Sequence, residues 1–335
     1  MIINFNTSKQ TIRCIESFRS STLAPDWVIV LDNASSNEDF SFLVKKSPEL
    51  SNSEVRIYRS DKNLGFAAGS NILIDLLMAD ANDQCQYFGL LNNDAIAMPD
   101  MVQSLVDALQ QSNGASGLAG GRMHRLAAPN EVDTLGISIY GSLMPADRKS
   151  TEDPYLGPTG GCLLATRELL EQLKTVSGYY FDSRYFCYCE DTDLVLRSVL
   201  LGFKTVYVNQ LIALHEGQAS SNGRHTNFIT YHGIRNTIWM NAKLMPGSLL
   251  LKYAAPLLFA HLLIIAQHIL KGNIRLLISI YGDALEQLPK IIKERKIFTQ
   301  HIKISAHQLD FWIAPRFYRR GYLTQVVRQA FRMRL

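Results

Sequence analysis

Cysteine is scarce in this sequence of 335 residues: there are five, Cys14, Cys85, Cys162, Cys187 and Cys189. Their number is odd and their spacing irregular, which argues against a disulfide framework. Cys187 and Cys189 form a C-x-C with no second pair to complete a zinc site. Reduced thiols in a cytosolic protein are the expectation. No signal-peptide pattern opens the chain. Met1 runs straight into Ile2-Ile3-Asn4-Phe5-Asn6, which reads as a strand, so either that strand is short or the true start lies upstream. Nucleotide-binding signatures are also missing: there is no G-x-G-x-x-G and no Gly-Lys-Ser/Thr of a P-loop. Low-complexity tracts and internal repeats are absent.

Apolar residues make up 47% and charged residues 19%, a foldable composition with ample core. The net charge of +4 hides an asymmetry. Residues 243–335 hold 15 Lys and Arg against 4 Asp and Glu, a balance of +11, which leaves −7 for the rest. A basic tail on an acidic body suggests an anionic partner, either nucleic acid or a membrane surface. The acidic body and the lack of a nucleic-acid motif argue against nucleic acid.

The first third alternates strand and helix. Ile2–Asn6 reads as a strand, and Thr7 or Ser8 can cap a helix to about Ser20. Trp27–Leu31 is a continuous apolar run ending at Asp32, the pattern of a strand buried on both faces. Val55–Arg59 follows as a strand and Asn71–Met78 as a helix. Tyr87–Leu91 is a strand ending in Asn92-Asn93-Asp94, and Pro99 opens a helix to about Gln111. This order predicts a doubly wound, mostly parallel sheet, with ligands at the carboxyl ends of its strands. Further on, Gly157–Gly161 leads into the apolar Cys162–Ala165. A helix headed by Glu190-Asp191-Thr192-Asp193 ends at Gly202, Thr205–Asn209 is a strand, and His215 follows a second apolar run.

Several clusters can carry chemistry, and each has a plainer alternative. Asp32 can accept hydrogen bonds from a ribose or base, or it can simply hold a turn. Asn63 to Asn71, with Gly65 and Gly69, is a glycine-rich entry to a helix that lets backbone amides approach a phosphate; close helix–sheet packing explains it equally. Asn92 and Asp94 project at a sheet edge, where they can hold Mg²⁺ or Mn²⁺ bridging a diphosphate, although Asn-Asp turns after strands are common. Glu190, Asp191 and Asp193 suit a first helical turn for dipole reasons. Three carboxylates in four positions still exceed what capping needs, and a buried one would have its pKa raised toward that of a useful base. A lone His215 is more often a surface residue than a ligand.

Taken together, these stretches resemble glycosyltransferase family 2, particularly its bacterial rhamnosyltransferase-like members, over about residues 1–240. The likeness rests on Asn4-Phe5-Asn6, Asp32–Ser35, Asn63–Asn71, Leu91–Asp94, Gly160-Gly161, Tyr185–Leu194, His215 and Arg235-Asn236. It implies a GT-A fold and an inverting, single-displacement transfer from a nucleoside-diphosphate sugar, with dTDP-rhamnose favoured. By position Asp191 is the general base. Asn92, Asp94 and His215 are the metal residues, with Asn in place of the first Asp of a D-x-D. Asn6, Asp32, Asn63, Gly65, Asn71 and Asn93 fall on the nucleotide side, and Gly160, Gly161, Glu190 and Asp193 on the acceptor side. The implied acceptor is a glycan or lipid-linked glycan. A nucleotidyltransferase would need a basic, glycine-rich triphosphate loop, which residues 4–13 lack. A non-catalytic sugar-binding relative is the other rival, opposed by intact Asp94 and Asp191.

The chain divides on this reading into a domain at 1–242 and a helical, basic region at 243–335. Tyr253–Leu270 holds no Asp, Glu, Lys or Arg and would make about 27 Å of helix, just short of a bilayer core. A buried helix, a short transmembrane helix and an interfacial segment are all open, and the basic flanks favour the interfacial one. The expected location is therefore cytoplasmic, peripheral on the inner face of the plasma membrane.

Overall fold

The computed structural model describes residues 1–79, 85–112, 114–217 and 227–320. Strand β1 (Ile2–Asn4) passes through α1 (Ser8–Ser17) to β2 (Trp27–Asn33), then α2 (Asn37–Lys46) and β3 (Glu54–Ser60). Helix α3 (Gly65–Ala79), β4 (Tyr87–Leu91), the short β5 (Ala95–Ala97) and α4 (Met101–Gln111) follow. The middle contains β6 (Ser116–Arg125), β7 (Ala128–Thr134), β8 (Ile137–Tyr140), β9 (Pro145–Asp147), β10 (Cys162–Thr166), α5 (Arg167–Ser177), α6 (Glu190–Leu200) and β11 (Lys204–His215). The last third is helical: α7 (Asn227–Leu244), α8 (Gly247–Lys252), α9 (Ala254–Leu270), α10 (Ile274–Phe298) and α11 (Ala306–Asp310), closed by β12 (Ile313–Ala314).

Strands β1, β2 and β3 pair in parallel. A second ladder runs β4-β10-β6-β11-β5. The Leu91 amide donates to the Met1 carbonyl (3.2 Å), and the Met1 amine donates to the Gly89 carbonyl (2.8 Å), which joins β1 to β4 side by side. The sheet is mostly parallel, as its β-α-β order predicts. β10 is antiparallel to both neighbours, and β5 is antiparallel to β11.

The run at Trp27–Leu31 is apolar on both faces for a visible reason. Ile29 and Leu31 face Leu73 and Ile74 of α3, while Val28 and Val30 face Cys14 and Ile15 of α1. Burying each such side chain stabilises by roughly 1.5–3 kcal/mol. The glycine-rich stretch forms the first turns of α3 rather than a loop before it. The two apolar runs before His215 are a single bulged strand, β11.

Helix α7 continues unbroken through position 242, and α10 packs along it. Trp239 donates its indole N–H to the Ala284 carbonyl (3.1 Å), and Arg295 reaches the Ala242 carbonyl (3.0 Å). β12 returns to add a parallel strand to β8, whose other edge carries β9. Among the described residues, no helix is long and apolar enough to cross a membrane. Helix α9 nonetheless exposes Leu258, Phe259, Leu262, Ile269 and Leu270.

Candidate active site

The carboxyl ends of β4 and β11 meet because β11 pairs with β5 in a register that sets His215 opposite Ala95, the residue after Asp94. The Glu216 amide donates to the Asp94 carbonyl (3.0 Å), fixing that approach. His215 Nε2 lies 3.1 Å from Asp94 Oδ1 and 3.2 Å from the Asn92 amide group. Its Nδ1 lies 2.7 Å from Asp133 Oδ2 on β7. Burial alone would lower the imidazole pKa, but the hydrogen bonds and charges of Asp133 and Asp94 outweigh it and raise the value to about 10. Asp133 is held below the usual carboxylate range; burial opposes this, and His215, Lys149 and Arg125 prevail.

Asp191 opens α6, and it is the only residue of that helix that is not buried. Its Oδ2 accepts the Gly160 amide (2.9 Å), and its Oδ1 accepts the Thr192 amide (2.6 Å) and hydroxyl (3.2 Å). Burial raises its pKa, and these donors counter only part of the rise. Gly161 accepts the Asn92 amide through its carbonyl (2.9 Å), so the Gly160-Gly161 turn ties Asn92 to Asp191. A Cβ on Gly160 would stand 3.3 Å from the Phe66 ring and 3.4 Å from Asp191 Cβ. The structure therefore brings Asn92, Asp94, His215, Gly160, Gly161 and Asp191 together.

The segment before α6 is strained. Phe186, Tyr188 and Cys189 all have φ between 64° and 71°, a region that disfavours residues with a Cβ. Asn236 on α7 compensates: its amide donates toward the carbonyls of Tyr185, Cys187 and Tyr188, at 3.0, 3.0 and 2.7 Å. Arg235 bonds the Tyr185 region as well (3.3 Å to the Arg184 carbonyl). Gly65, at φ +75°, fits beneath this loop; a Cβ there would fall 2.5 Å from the Phe186 carbonyl oxygen. Glu190 is buried, with Oε2 lacking a hydrogen-bond partner, and burial, then the charge of Asp191, pushes its pKa well up.

Other residues singled out in the sequence make contacts of their own. Asp32 is fully enclosed and accepts from Asn4 Nδ2 (2.8 Å) and the Ser35 amide (3.2 Å), with Arg59 at 3.4 Å. As placed, it holds the turn and touches no open surface. Asn6, exposed at φ 55°, accepts the Ser36 amide (2.8 Å) at the same edge. Asn63 accepts from Asn33 (3.0 Å) and from the Gly65 amide (2.9 Å). Asn71 both donates to and accepts from the Phe181 backbone, at 2.7 and 2.8 Å. Asn93 is buried against Thr7 and Thr11 of the α1 region. Asp193 is fully buried and meets Arg197 (2.7 Å), Lys243 (2.5 Å) and the Tyr185 hydroxyl (3.0 Å). The reason is helical geometry, since two residues turn the chain by about 200° and so point Asp193 away from Asp191.

Asp133 was not legible in the sequence. It sits on a strand of mixed polarity with no motif around it, and only the hairpin β6–β7 brings it to His215.

Residues 1–174 match Glycosyl transferase family 2, and the chain belongs to that family. It is a glycosyltransferase with a GT-A-type fold. It is 27% identical over 290 residues to the N-acetylglucosaminyl-diphospho-decaprenol L-rhamnosyltransferase of Mycobacterium tuberculosis, covering 75% of this chain and 89% of that protein. Its fold is similar to a mannosyltransferase from Pyrobaculum calidifontis in complex with GDP-Man and Mn²⁺ (TM-score 0.52, 13% identity, 90% of this chain and 84% of that one). It is likewise similar to GalNAc-T7 with UDP, GalNAc and Mn²⁺ (TM-score 0.53, 13% identity, 92% of this chain and 56% of that one).

Proposed function

We propose that the chain is an inverting glycosyltransferase that moves a sugar from a nucleoside diphosphate to a hydroxyl of a glycan or lipid-linked glycan. The observation that carries this reading is Asp191: it is the one open position on a buried helix, it is held by the Gly160 amide, and through Gly161 it is tied to Asn92. The acceptor hydroxyl loses its proton to the Asp191 carboxylate as its oxygen bonds to the anomeric carbon. The bond from that carbon to the diphosphate breaks, and the nucleoside diphosphate leaves with the electron pair. Inversion follows from this single displacement.

Asp94, His215 and the Asn92 amide suit a divalent cation, Mg²⁺ or Mn²⁺. Asp133 anchors Nδ1 of His215, so Nε2 faces Asp94 as a ligand would. Among the described residues no group of three His, Cys, Asp or Glu side chains is placed to hold a metal ion by itself, so diphosphate oxygens and water would complete the coordination. The cation supplies charge to stabilise the departing diphosphate. In its absence, protonated His215 puts positive charge beside Asp94.

Likeness to the mycobacterial enzyme favours dTDP-rhamnose as donor and a lipid-diphosphate acceptor. The basic excess in 243–335 and the apolar face of α9 favour a peripheral position on an anionic membrane surface, facing the cytoplasm.

The test is a panel of dTDP-, UDP- and GDP-sugars with Mn²⁺ or Mg²⁺, read for binding and turnover. One donor binds with metal dependence, Asp94→Ala weakens that binding, and Asp191→Ala keeps binding but loses turnover. No binding of any nucleotide sugar with either metal overturns the reading.

A further inference from the structure

The segment that follows β12 is clasped to the middle of the fold. Gly141 donates its amide to the Arg316 carbonyl (2.9 Å), and Ser142 donates to that of Phe317 (3.2 Å). Arg316 pairs with buried Asp153 at 3.2 Å. Tyr318 lies against Tyr140, with ring centroids 5.3 Å apart. These contacts fix the strap without help from its last two arginines. Arg320 is 70% exposed and pairs with Glu152, also exposed, an ion pair of little energetic value. Arg319, among the described residues, lies at salt-bridge distance from no carboxylate.

The strap lies between two surfaces of different chemistry. On one side Phe317 packs on Phe259 of α9 at 5.5 Å between ring centroids. Phe259 belongs to an exposed stripe, with Leu258 at 61%, Leu262 at 53% and Ile269 at 51% exposure. Leu258, Leu262 and Ile269, four and seven residues apart, share one helix face, with Phe259 at its edge. Nothing in the described chain covers it, and a contiguous apolar face of this kind marks an interaction site. On the other side are the residues around His215. Lys149, within 3.9 Å of Asp133 and 3.8 Å of Asp147, leads from the hairpin β8–β9 toward His215. The strap that holds Gly141 and Ser142 at the tip of this hairpin thus leads, through Lys149 and Asp133, to His215.

We propose that Arg319 and Arg320 seat the diphosphate of a lipid-linked acceptor whose hydrocarbon chain lies along the exposed face of α9. The inference rests on the reading of Asp191 as the base. An acceptor of this class presents, in order, a sugar hydroxyl, two phosphates and an apolar chain. The protein presents, in the same order, Asp191, two arginines and an apolar helix. Guanidinium groups suit this seat because their planar donors match phosphate oxygens in pairs. Phosphate would displace Glu152 from Arg320, exchanging one exposed ion pair for a doubly charged one.

Farnesyl diphosphate, a short lipid diphosphate without a sugar, tests the seat directly. Its binding is measured by titration calorimetry in detergent, with the nucleotide side filled by saturating dTDP and Mn²⁺. The expected result is binding at least ten times tighter than that of inorganic pyrophosphate or of farnesol. Arg319→Ala/Arg320→Ala weakens it at least tenfold while the melting temperature and dTDP binding hold. Leu258→Asn/Leu262→Asn weakens farnesyl diphosphate but not pyrophosphate. Unchanged affinity in the arginine variant overturns the proposal. So does an equal, arginine-dependent affinity for phosphatidylglycerol vesicles lacking any diphosphate lipid, which would make the strap a general anionic-surface contact. Failure of dTDP to bind is read separately, and it counts against the transferase reading rather than the seat.

Discussion

Asp133 holds His215 by its Nδ1, across 2.7 Å, and so turns the opposite ring nitrogen toward Asp94. Carboxylates that orient a metal-binding histidine in this way typically contribute 10–100-fold to metal affinity. Asp133→Asn should therefore weaken Mn²⁺ binding by about 10–100-fold. Electron paramagnetic resonance titration of free Mn²⁺ in the presence of nucleotide measures this without any turnover assay. An unchanged affinity would separate Asp133 from the metal site.

The same histidine makes a pH prediction for the metal-free protein. Its folded pKa, about 10, stands above the ordinary 6.5, so the folded state holds the proton more tightly. The stabilisation is complete below about 6.5, declines as pH rises, and is gone above about 10. Thermal melts from pH 6 to pH 10, chosen as roughly this span, should fall more steeply for wild type than for His215→Gln. Because a cation needs Nε2 free of its proton, Mn²⁺ affinity should rise with pH over the same window.

Asp191 must be ionised to act as a base. Burial has raised its pKa, so the acid limb of the rate profile should lie above the ordinary carboxylate range. Thr192→Val removes a hydroxyl donor at 3.2 Å, further disfavours the charged form and should move that limb to higher pH. Asp191→Asn should lower kcat by about 10²–10⁴, the usual contribution of a general base, with donor affinity retained.

Lys243 sits between two buried carboxylates, 2.5 Å from Asp193 and 2.8 Å from Asp182. Lys243→Met should leave both without their shared cation and destabilise the fold by about 3–5 kcal/mol, the usual cost of breaking a buried pair. Denaturant unfolding reads this. Lys243→Met/Asp193→Leu should not recover the loss, because it also strips buried Arg197 of its carboxylate partner.

Asn236→Ala should remove the side-chain donor that the carbonyls of Tyr185, Cys187 and Tyr188 share. With three positive-φ residues in that loop, the chain should relax away from the conformation that feeds α6. We expect kcat to fall by more than tenfold, a loss of about 1.4 kcal/mol or greater, with the affinity for dTDP unchanged, measured by calorimetry and initial rates.

The sequence was most readable where a local pattern and a tertiary demand coincide. The apolar run of β2, the Asn92–Asp94 strand end and the head of α6 each have a periodicity or a polarity break that marks them. Asp191 was singled out for that reason. Asp193 was grouped with it because a cluster of carboxylates reads as one surface, whereas the helical turn between them points Asp193 to Arg197 and Lys243. Asp32 and Asn93 were taken for ligand contacts because polar residues at strand ends serve two uses. They can face a ligand, or they can satisfy the amides and hydroxyls of the turn itself. In this structure Asp32 bonds Asn4 and the Ser35 amide, and Asn93 bonds Thr7 and Thr11. Asp133 and the strap at 313–320 depend on contacts between segments far apart in the chain, for which no local pattern exists.

The return of β12 to β8 also constrains the order of events during synthesis. Strand β8 is an edge until Ile313 and Ala314 emerge to pair with Ile139 and Tyr140. A ribosome-bound chain lacking them leaves the outer edge of β8 open to other strands. The exposed face of α9 is made before that edge is closed. During synthesis the apolar face of α9 thus emerges ahead of the strand that covers the edge of β8.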